Sequence, residues 1–236
     1  VPGAAYIDLQ ADLSDPASAL RFTLPTPEDF ARAAGRLGIG DDTEVVFYSS
    51  GSPMWATRLW WMLRAMGFDR VAVLDGGLAR WTADGRPLEQ GERRHPGATF
   101  TPNPRPHLLA DRHRVLAAIA DGGTRIVNAL SRTQHSGDPK AVHYGRPGHI
   151  AGSVSVPAFG FRRGDGPLRP PNELRAAFEQ AGIAPQDRTL AYCGGGIAAT
   201  LDAFALALLG NMDVAVYDNS LSEWAADPSL PMRTGA

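Results

Sequence analysis

Short apolar runs alternate with longer helical segments along much of this chain. Four runs are three to five residues long and rich in β-branched, aromatic or other apolar residues, which is typical of buried strands; they cover residues 125–129, 154–156, 189–192 and 214–217. Between them, residues 171–181 and 197–209 are longer and predict helices. Strands separated by helices predict an α/β fold, a parallel sheet with helices on both of its faces.

The chain contains two copies of one sequence module. Residues 71–81 recur as residues 214–224, an offset of 143, with six of eleven positions identical. Residues 46–49 match residues 190–193 at an offset of 144. Several blocks in one order at nearly one spacing indicate an internal duplication.

The duplication divides the chain into modules of unequal length. We predict a first module at residues 1–86, a Pro-rich linker at 87–110 and a second module at 111–236. Residue 1 aligns with residue 150, so the first module lacks counterparts of residues 111–149. A module without its first strand and helix would leave a sheet edge open. We therefore expect about 40 further residues upstream in the natural chain, where any targeting signal would lie.

Composition argues against several classes of function. The net charge of −2 gives no basic field for nucleic acid, and no apolar run reaches the ~18 residues that span a bilayer. The six histidines show no metal-ligand spacing, and a single cysteine excludes an intrachain disulfide or a Cys-x-x-Cys pair. We therefore expect no nucleic-acid partner, no membrane partner and no metal. The free thiol favours a reducing compartment, and hence a cytoplasmic location.

Cys193, the only cysteine, lies between a predicted strand and a predicted helix. The loop after it comprises Gly194, Gly195, Gly196, Ile197 and Ala198. Unpaired amides and the positive end of a helix dipole stabilise negative charge at such a junction, which favours a thiolate. Glycine also lets each loop residue take a positive φ and turn its N–H inward. A lone cysteine is often a small buried hydrophobe, but this setting predicts a nucleophile in a cradle for an anionic sulfur.

Three segments resemble the tandem-domain rhodanese family, the thiosulfate and 3-mercaptopyruvate sulfurtransferases. They are the Cys193 loop, residues 148–157 with the sequence GHIAGSVSVP, and residues 217–224 with the sequence YDNSLSEW. The resemblance covers essentially the whole chain. It implies two tandem rhodanese-like modules, each a parallel sheet with helices on both faces, the first truncated at its N-terminus.

The resemblance also implies a reaction. A sulfane sulfur would move from thiosulfate or 3-mercaptopyruvate to a thiol or cyanide acceptor through a persulfide on Cys193, held by the amides of residues 194–198. No metal or organic cofactor is needed. Ser49 occupies the equivalent position of the first module. A hydroxyl cannot carry a persulfide, so the first module should be catalytically silent.

The sulfur donor is less clearly indicated. Thiosulfate-type loops carry basic side chains after the cysteine, and this loop has none. The mercaptopyruvate type binds the donor carboxylate through arginines ahead of the Gly-His-Ile segment. The matching stretch here contains Gln134 instead, and nearby Arg132 and Arg146 are candidate substitutes in substrate binding. The Asp and His that this type takes from its first module align with Gln10 and Phe22.

Two other functions are alternatives to sulfur transfer on this fold. A cysteine phosphatase or arsenate reductase on the same fold needs an arginine six residues after the cysteine, and that position is Ala199. A non-catalytic binding or sulfur-sensing module would accommodate the missing Arg, Asp and His groups. His149 is a candidate general base, against a structural role of tying the loop to the backbone.

Overall fold

The chain forms two compact units. The computed structural model describes residues 1–164 and 166–235. The first unit is Val1–Arg105 together with Gly164–Leu168, and the second is Pro106–Arg163 together with the chain from Arg169 onward. The module limits at residues 86 and 111 stay predictions. Within the described ranges, no helix combines the length and the apolar character that crossing a membrane requires.

The first unit is built on two parallel strands. β1 (Val45–Phe47) and β2 (Val71–Val73) pair with Val45 opposite Val71. Its helices are α1 (Leu9–Leu13), α2 (Pro27–Arg36), α3 (Met54–Ala65) and α4 (Gly77–Ala83). Helix α2 begins where the Thr26 side chain accepts a hydrogen bond from the Asp29 amide, and Pro27 fills the first turn, where no N–H is needed. The core contains Phe30, Ala34, Trp61, Met62 and Leu63.

A parallel sheet organises the second unit. Its five strands among the described residues run in the order β3-β8-β7-β4-β6. They are β3 (Leu109–Ala110), β4 (Arg125–Asn128), β6 (Ser153–Ser155), β7 (Thr189–Tyr192) and β8 (Ala215–Tyr217). A separate antiparallel pair is formed by β5 (His149–Ile150) and β9 (Met232–Arg233). β7 is the central strand of the sheet and every one of its residues is buried, as expected for a strand covered on both faces.

Helices connect the strands of the second unit. They are α5 (Arg112–Asp121), α6 (Arg132–Ser136), α7 (Pro171–Gln180), α8 (Ala198–Leu208) and α9 (Ser220–Trp224), with short 3-10 turns at Pro106–Leu108 and Ala158–Phe161. The four strands and two helices predicted from the hydrophobic pattern are confirmed, each to within one residue at either end.

The internal duplication is visible in backbone geometry. β1 and β2 of the first unit, like β7 and β8 of the second, are parallel neighbours. In the first unit the Leu78 amide donates to the Ser49 carbonyl at 3.1 Å. In the second, the Leu221 amide donates to the Cys193 carbonyl at the same distance. The α/β module therefore occurs twice, and Ser49 and Cys193 hold equivalent places in it.

Candidate active site around Cys193

Cys193 stands at the carboxyl end of the central strand β7. Its side chain is a free thiol with only 2% of its surface exposed. Five residues later the chain enters α8, whose N-terminus therefore follows the loop that Cys193 begins. The sequence builds this junction from a fully buried strand, three glycines and an Ala/Leu-rich helix. Ligands of parallel α/β sheets bind at such strand ends.

The three glycines of the loop serve different purposes. Of the three, only Gly196 uses the freedom to take a positive φ, with a value of 74°. Gly194 is required for another reason, namely the close approach of a neighbouring aromatic ring. A Cβ on Gly194 would collide with Cζ, Cε1 and Cε2 of Tyr144. The turn itself is made at Gly196, where an L side chain would be strained.

Ser220 holds the loop in shape. Its Oγ accepts hydrogen bonds from the amides of Cys193 and Gly196, at 3.0 and 3.2 Å, and donates to the Tyr217 carbonyl at 2.7 Å. The same oxygen lies 4.0 Å from Cys193 Sγ. Ser220 is fully buried with a φ of 50°, a conformation rare for a residue with a side chain. The Gly196 amide is therefore already used within the protein.

A second set of hydrogen bonds fastens the same loop to the start of α9. The Leu221 amide donates to the Cys193 carbonyl, and both the amide and Oγ of Ser222 donate to the Gly194 carbonyl, each at 2.8 Å. The segment 217–224, which the sequence identified as a motif, thus supplies the support of the Cys193 loop. These hydrogen bonds occupy the carbonyls of Cys193 and Gly194.

Four amides of the loop are left open. Across residues 1–164 and 166–235, no acceptor is placed for the N–H groups of Gly194, Gly195, Ile197 and Ala198. Open amides beside a thiol can bind an anionic sulfur or oxygen by hydrogen bonding. In the same part of the chain, no group of three or more His, Cys, Asp or Glu side chains is arranged to hold a metal ion.

Two of the candidate substrate-binding residues are occupied elsewhere. Gln134 Oε1 accepts from the amide and hydroxyl of Ser131, forming the capping box of α6, and its Nε2 donates to the Val142 carbonyl at 3.0 Å. The Arg146 guanidinium donates to the carbonyls of four residues, Trp224, Ala225, Asp227 and Leu230. Both side chains therefore support backbone carbonyls, Gln134 through Nε2 and Arg146 through Nε and Nη2, which favours structural roles for them.

Arg132 lies at a different feature, a groove of about 620 Å³ beside β6. The groove is also lined by His135, His149 and Ser155, and by no residue of the Cys193 loop. Across the described residues, nothing hydrogen-bonds to the Arg132 guanidinium. Arg132 is therefore open to a ligand, but the structure does not bring it together with the loop in one cavity.

His149 is tied to the backbone. Its Nδ1 lies 2.8 Å from the His135 carbonyl, and the two rings stack at 3.8 Å. Burial, followed by the neighbouring His149 and Arg132, lowers the pKa of His135 to about 4, so this ring is neutral at pH 7. Asn128 fixes it further, with Nδ2 3.1 Å from His135 Nδ1. This geometry supports the structural role of His149 over that of a general base.

In the first unit, Ser49, Gln10 and Phe22 form hydrogen bonds with residues of the same unit. Ser49 Oγ donates to the Ser52 carbonyl at 2.6 Å. Gln10 and Phe22, which stand where the mercaptopyruvate type has Asp and His, contact each other: Gln10 Oε1 accepts from the Phe22 amide at 3.0 Å. An amide and a phenyl ring do not supply the charge of an Asp or the proton transfer of a His.

Sequence reasoning missed Tyr144. The residue sits in a loop without periodicity, so no hydrophobic pattern pointed to it. Its ring lies against Gly194, and burial together with the charge of Cys193 raises the pKa of its hydroxyl. Ser220 lies within the motif at residues 217–224, but the sequence assigns it no role. Only the fold brings either residue to the Cys193 loop.

Comparison with known proteins places these features in a family. The family model for the rhodanese-like domain matches residues 1–84 and 112–227. The 3-mercaptopyruvate sulfurtransferase of Escherichia coli strain K12 is 35% identical over 233 residues, 98% of this chain and 82% of that protein. The thiosulfate sulfurtransferase of Rattus norvegicus is 35% identical over 229 residues, 95% of this chain and 76% of that protein. The crystal structure of SseA from Escherichia coli, described as a 3-mercaptopyruvate sulfotransferase, matches with 34% identity and a TM-score of 0.83, over 94% of this chain and 83% of that one.

Proposed function

This chain belongs to the rhodanese family and is a sulfurtransferase, and we propose that Cys193 carries the transferred sulfur as a persulfide. One observation carries the proposal. The chain's single cysteine ends the central strand and is followed by a loop whose amides at four positions have no acceptor among the described residues. A persulfide enzyme needs one thiol and a cradle for one additional anionic sulfur, and this loop supplies both.

The reaction proceeds in two displacements. With thiosulfate, the Cys193 thiolate attacks the outer sulfur, the S–S bond of the donor breaks and sulfite leaves with the electron pair, which gives Cys193–S–S⁻. Cyanide then attacks the outer sulfur of the persulfide, and thiocyanate leaves while the thiolate is regenerated. Charge and atoms balance at each step, and no oxidant or proton donor is required. This is the ping-pong pattern of covalent catalysis.

The protein stabilises the persulfide intermediate by holding backbone N–H donors in fixed positions around its outer sulfur. The amides of Gly194, Gly195, Ile197 and Ala198 hold the outer sulfur, while the hydrogen bonds of Ser220 keep the loop in the shape that presents them. The N-terminus of α8 adds a favourable field for negative charge. Such preorganised donors cost no rearrangement when the charge develops.

The sulfur donor in this proposal is thiosulfate or 3-mercaptopyruvate, and the acceptor is a thiol or cyanide. Relatives of both donor types match the chain about equally, at 35% identity. Arg132 remains a candidate contact for an anionic donor, whereas the internal hydrogen bonds of Gln134 and Arg146 favour structural roles. A cytoplasmic location also belongs to the proposal, because a thiol nucleophile works in a reducing compartment.

A pair of variants tests the proposal. With each donor in turn, thiocyanate production from cyanide is measured for the natural protein, Cys193→Ser and Ser49→Ala. We expect Cys193→Ser to abolish transfer, because a hydroxyl cannot form a persulfide, and Ser49→Ala to keep full activity as the matched control in the first module. The ratio of the two donor activities identifies the preferred donor. Absence of turnover with both donors, and of any persulfide on Cys193, would leave only a binding or sensing role.

A further inference from the structure

Tyr144 covers one side of the Cys193 loop. Its ring lies where a Cβ of Gly194 would otherwise project, and its Cζ, the carbon that bears the hydroxyl, is the ring atom nearest to that point. Gly194 does not have a positive φ, so the backbone there would accept alanine. The glycine is therefore matched to the aromatic ring, and the hydroxyl end of Tyr144 is directed at the Cys193 loop.

The loop that carries Tyr144 is anchored on both sides. Before it, Gln134 Nε2 donates to the Val142 carbonyl. After it, the Arg146 guanidinium is bound by four carbonyls within residues 224–230. Tyr144 is thus held in place by residues two positions away in each direction. This rigidity is what a substrate-contacting group requires.

The Tyr144 hydroxyl is available as a donor. It forms no hydrogen bond to any residue in the described part of the chain, and 43% of the side chain is exposed. Burial of the rest, and the charge of Cys193, raise the pKa of the phenol, so it keeps its proton at neutral pH. Residues 194–198 have no charged side chain. An anionic donor reaching Cys193 would therefore meet the phenol O–H as a side-chain donor at the loop.

We infer that Tyr144 is a substrate-binding residue whose hydroxyl donates a hydrogen bond to the anionic sulfur donor as it meets Cys193. The inference rests on the proposed function, since it needs a donor at this site. The ligand class is a small anion that carries a transferable sulfur. The acceptor is charged and the phenol is partly exposed, so loss of this one hydrogen bond should weaken donor binding by about 3- to 10-fold.

The test separates the two half-reactions in Tyr144→Phe, which removes the hydroxyl and keeps the ring. The rate of persulfide formation on Cys193 is measured by mass spectrometry against the concentration of thiosulfate, and again against 3-mercaptopyruvate. Discharge of the preformed persulfide to dithiothreitol, an uncharged thiol, is measured separately. Tyr6→Phe is the matched control, because Tyr6 is 80% exposed and its hydroxyl has no partner among the described residues.

We expect the half-saturating donor concentration to rise about 3- to 10-fold in Tyr144→Phe, with discharge to dithiothreitol unchanged. Unchanged donor saturation would overturn the inference. So would an equal loss in both half-reactions, because it would mean that the hydroxyl only supports the loop. If the natural protein forms no persulfide with either donor, the proposed function fails, which is a different outcome from failure of Tyr144 alone.

Discussion

Asp202, the fifth residue of α8, carries a carboxyl group that is fully buried. Neither oxygen has a hydrogen-bond partner in the part of the chain that the structure describes. Burial therefore raises the pKa of this carboxyl well above its usual value. The group is held protonated inside the protein over a range where it would ionise in the unfolded chain, and that difference lowers stability as pH increases.

Replacing Asp202 by Asn should stabilise the protein above the ordinary pKa of Asp. Below about pH 4 the carboxyl is protonated in both folded and unfolded states, so no difference is expected there. As pH rises, only the unfolded state gains by ionising, so the natural protein loses stability and the variant does not. We expect Asp202→Asn to be more stable than the natural protein at pH 8, by a margin that disappears as the pH falls below about 4, measured by urea unfolding.

Asp42→Asn serves as the control, because it makes the same chemical change at a fully exposed carboxylate, which lies 3.7 Å from Arg70. If Asp202→Asn is less stable than the natural protein at pH 8, the carboxyl has a stabilising partner and the explanation fails.

Single residues of the site were predictable only where their chemistry is distinctive. Cys193 is the only cysteine in the sequence, and the glycines that follow it indicate a turn, so both features are predictable from the sequence. The charge of Arg146 and the position of Gln134 made them candidates for substrate binding. In the structure, their N–H groups donate to backbone carbonyls that lie up to 84 positions away in the sequence. Tyr144 escaped notice because only folding brings it against Gly194. Long-range hydrogen bonding, rather than residue type, decides which polar groups remain open to substrate.

At the scale of elements, the Cys193 loop depends on the first residues of α9, the helix that follows β8. Ser220 Oγ accepts hydrogen bonds from two amides of the Cys193 loop, and the amides of Leu221 and Ser222 donate to two of its carbonyls. The strands and helices themselves follow from local hydrophobic patterns, which is why they were predicted to within one residue. The contact between the Cys193 loop and the start of α9 does not follow from a local pattern, because β7 and β8 become neighbours only in the sheet.

Ser220→Ala tests this link between elements. The change removes the acceptor for two buried amides, so we expect a loss of about 1–3 kcal/mol in the free energy of unfolding. Persulfide formation should also slow, since the open amides lose their fixed direction. Urea unfolding and single-turnover persulfide formation measure the two effects. Ser229→Ala, in an exposed loop, is the comparison; similar losses from both variants would show that Ser220 has no special part in shaping the site.

For the whole molecule, the duplication accounts for the architecture. Both units contain parallel strands followed by helices, but only the second carries a thiol at the strand end. The order of strands in the sheet could not be read from the sequence, because it depends on which hydrophobic faces meet in three dimensions. The two-copy organisation could be read from the sequence, because a duplication leaves a repeated pattern of residues. Because Ser49 stands where the second unit has Cys193, we predict one chemically competent site, in the second unit.

The connection between the modules should be the first place cut by a protease. Residues 86–97 lie outside helices and strands and are almost entirely exposed. Exposed, irregular segments are preferred cleavage sites. Brief trypsin treatment should cut after Arg93 or Arg94, and mass spectrometry identifies the fragments. A first cut at Arg175 in α7 would show instead that the second unit opens more readily than the predicted linker.

The mass of the Cys193 peptide after one exposure to donor, without acceptor, tests the central claim most directly. Protein treated with thiosulfate or 3-mercaptopyruvate is alkylated, digested and analysed by mass spectrometry. If Cys193 carries the transferred sulfur, the peptide gains the mass of one sulfur atom and loses it again when cyanide is added, with release of thiocyanate. An unmodified Cys193 with both donors, in folded protein, would contradict it.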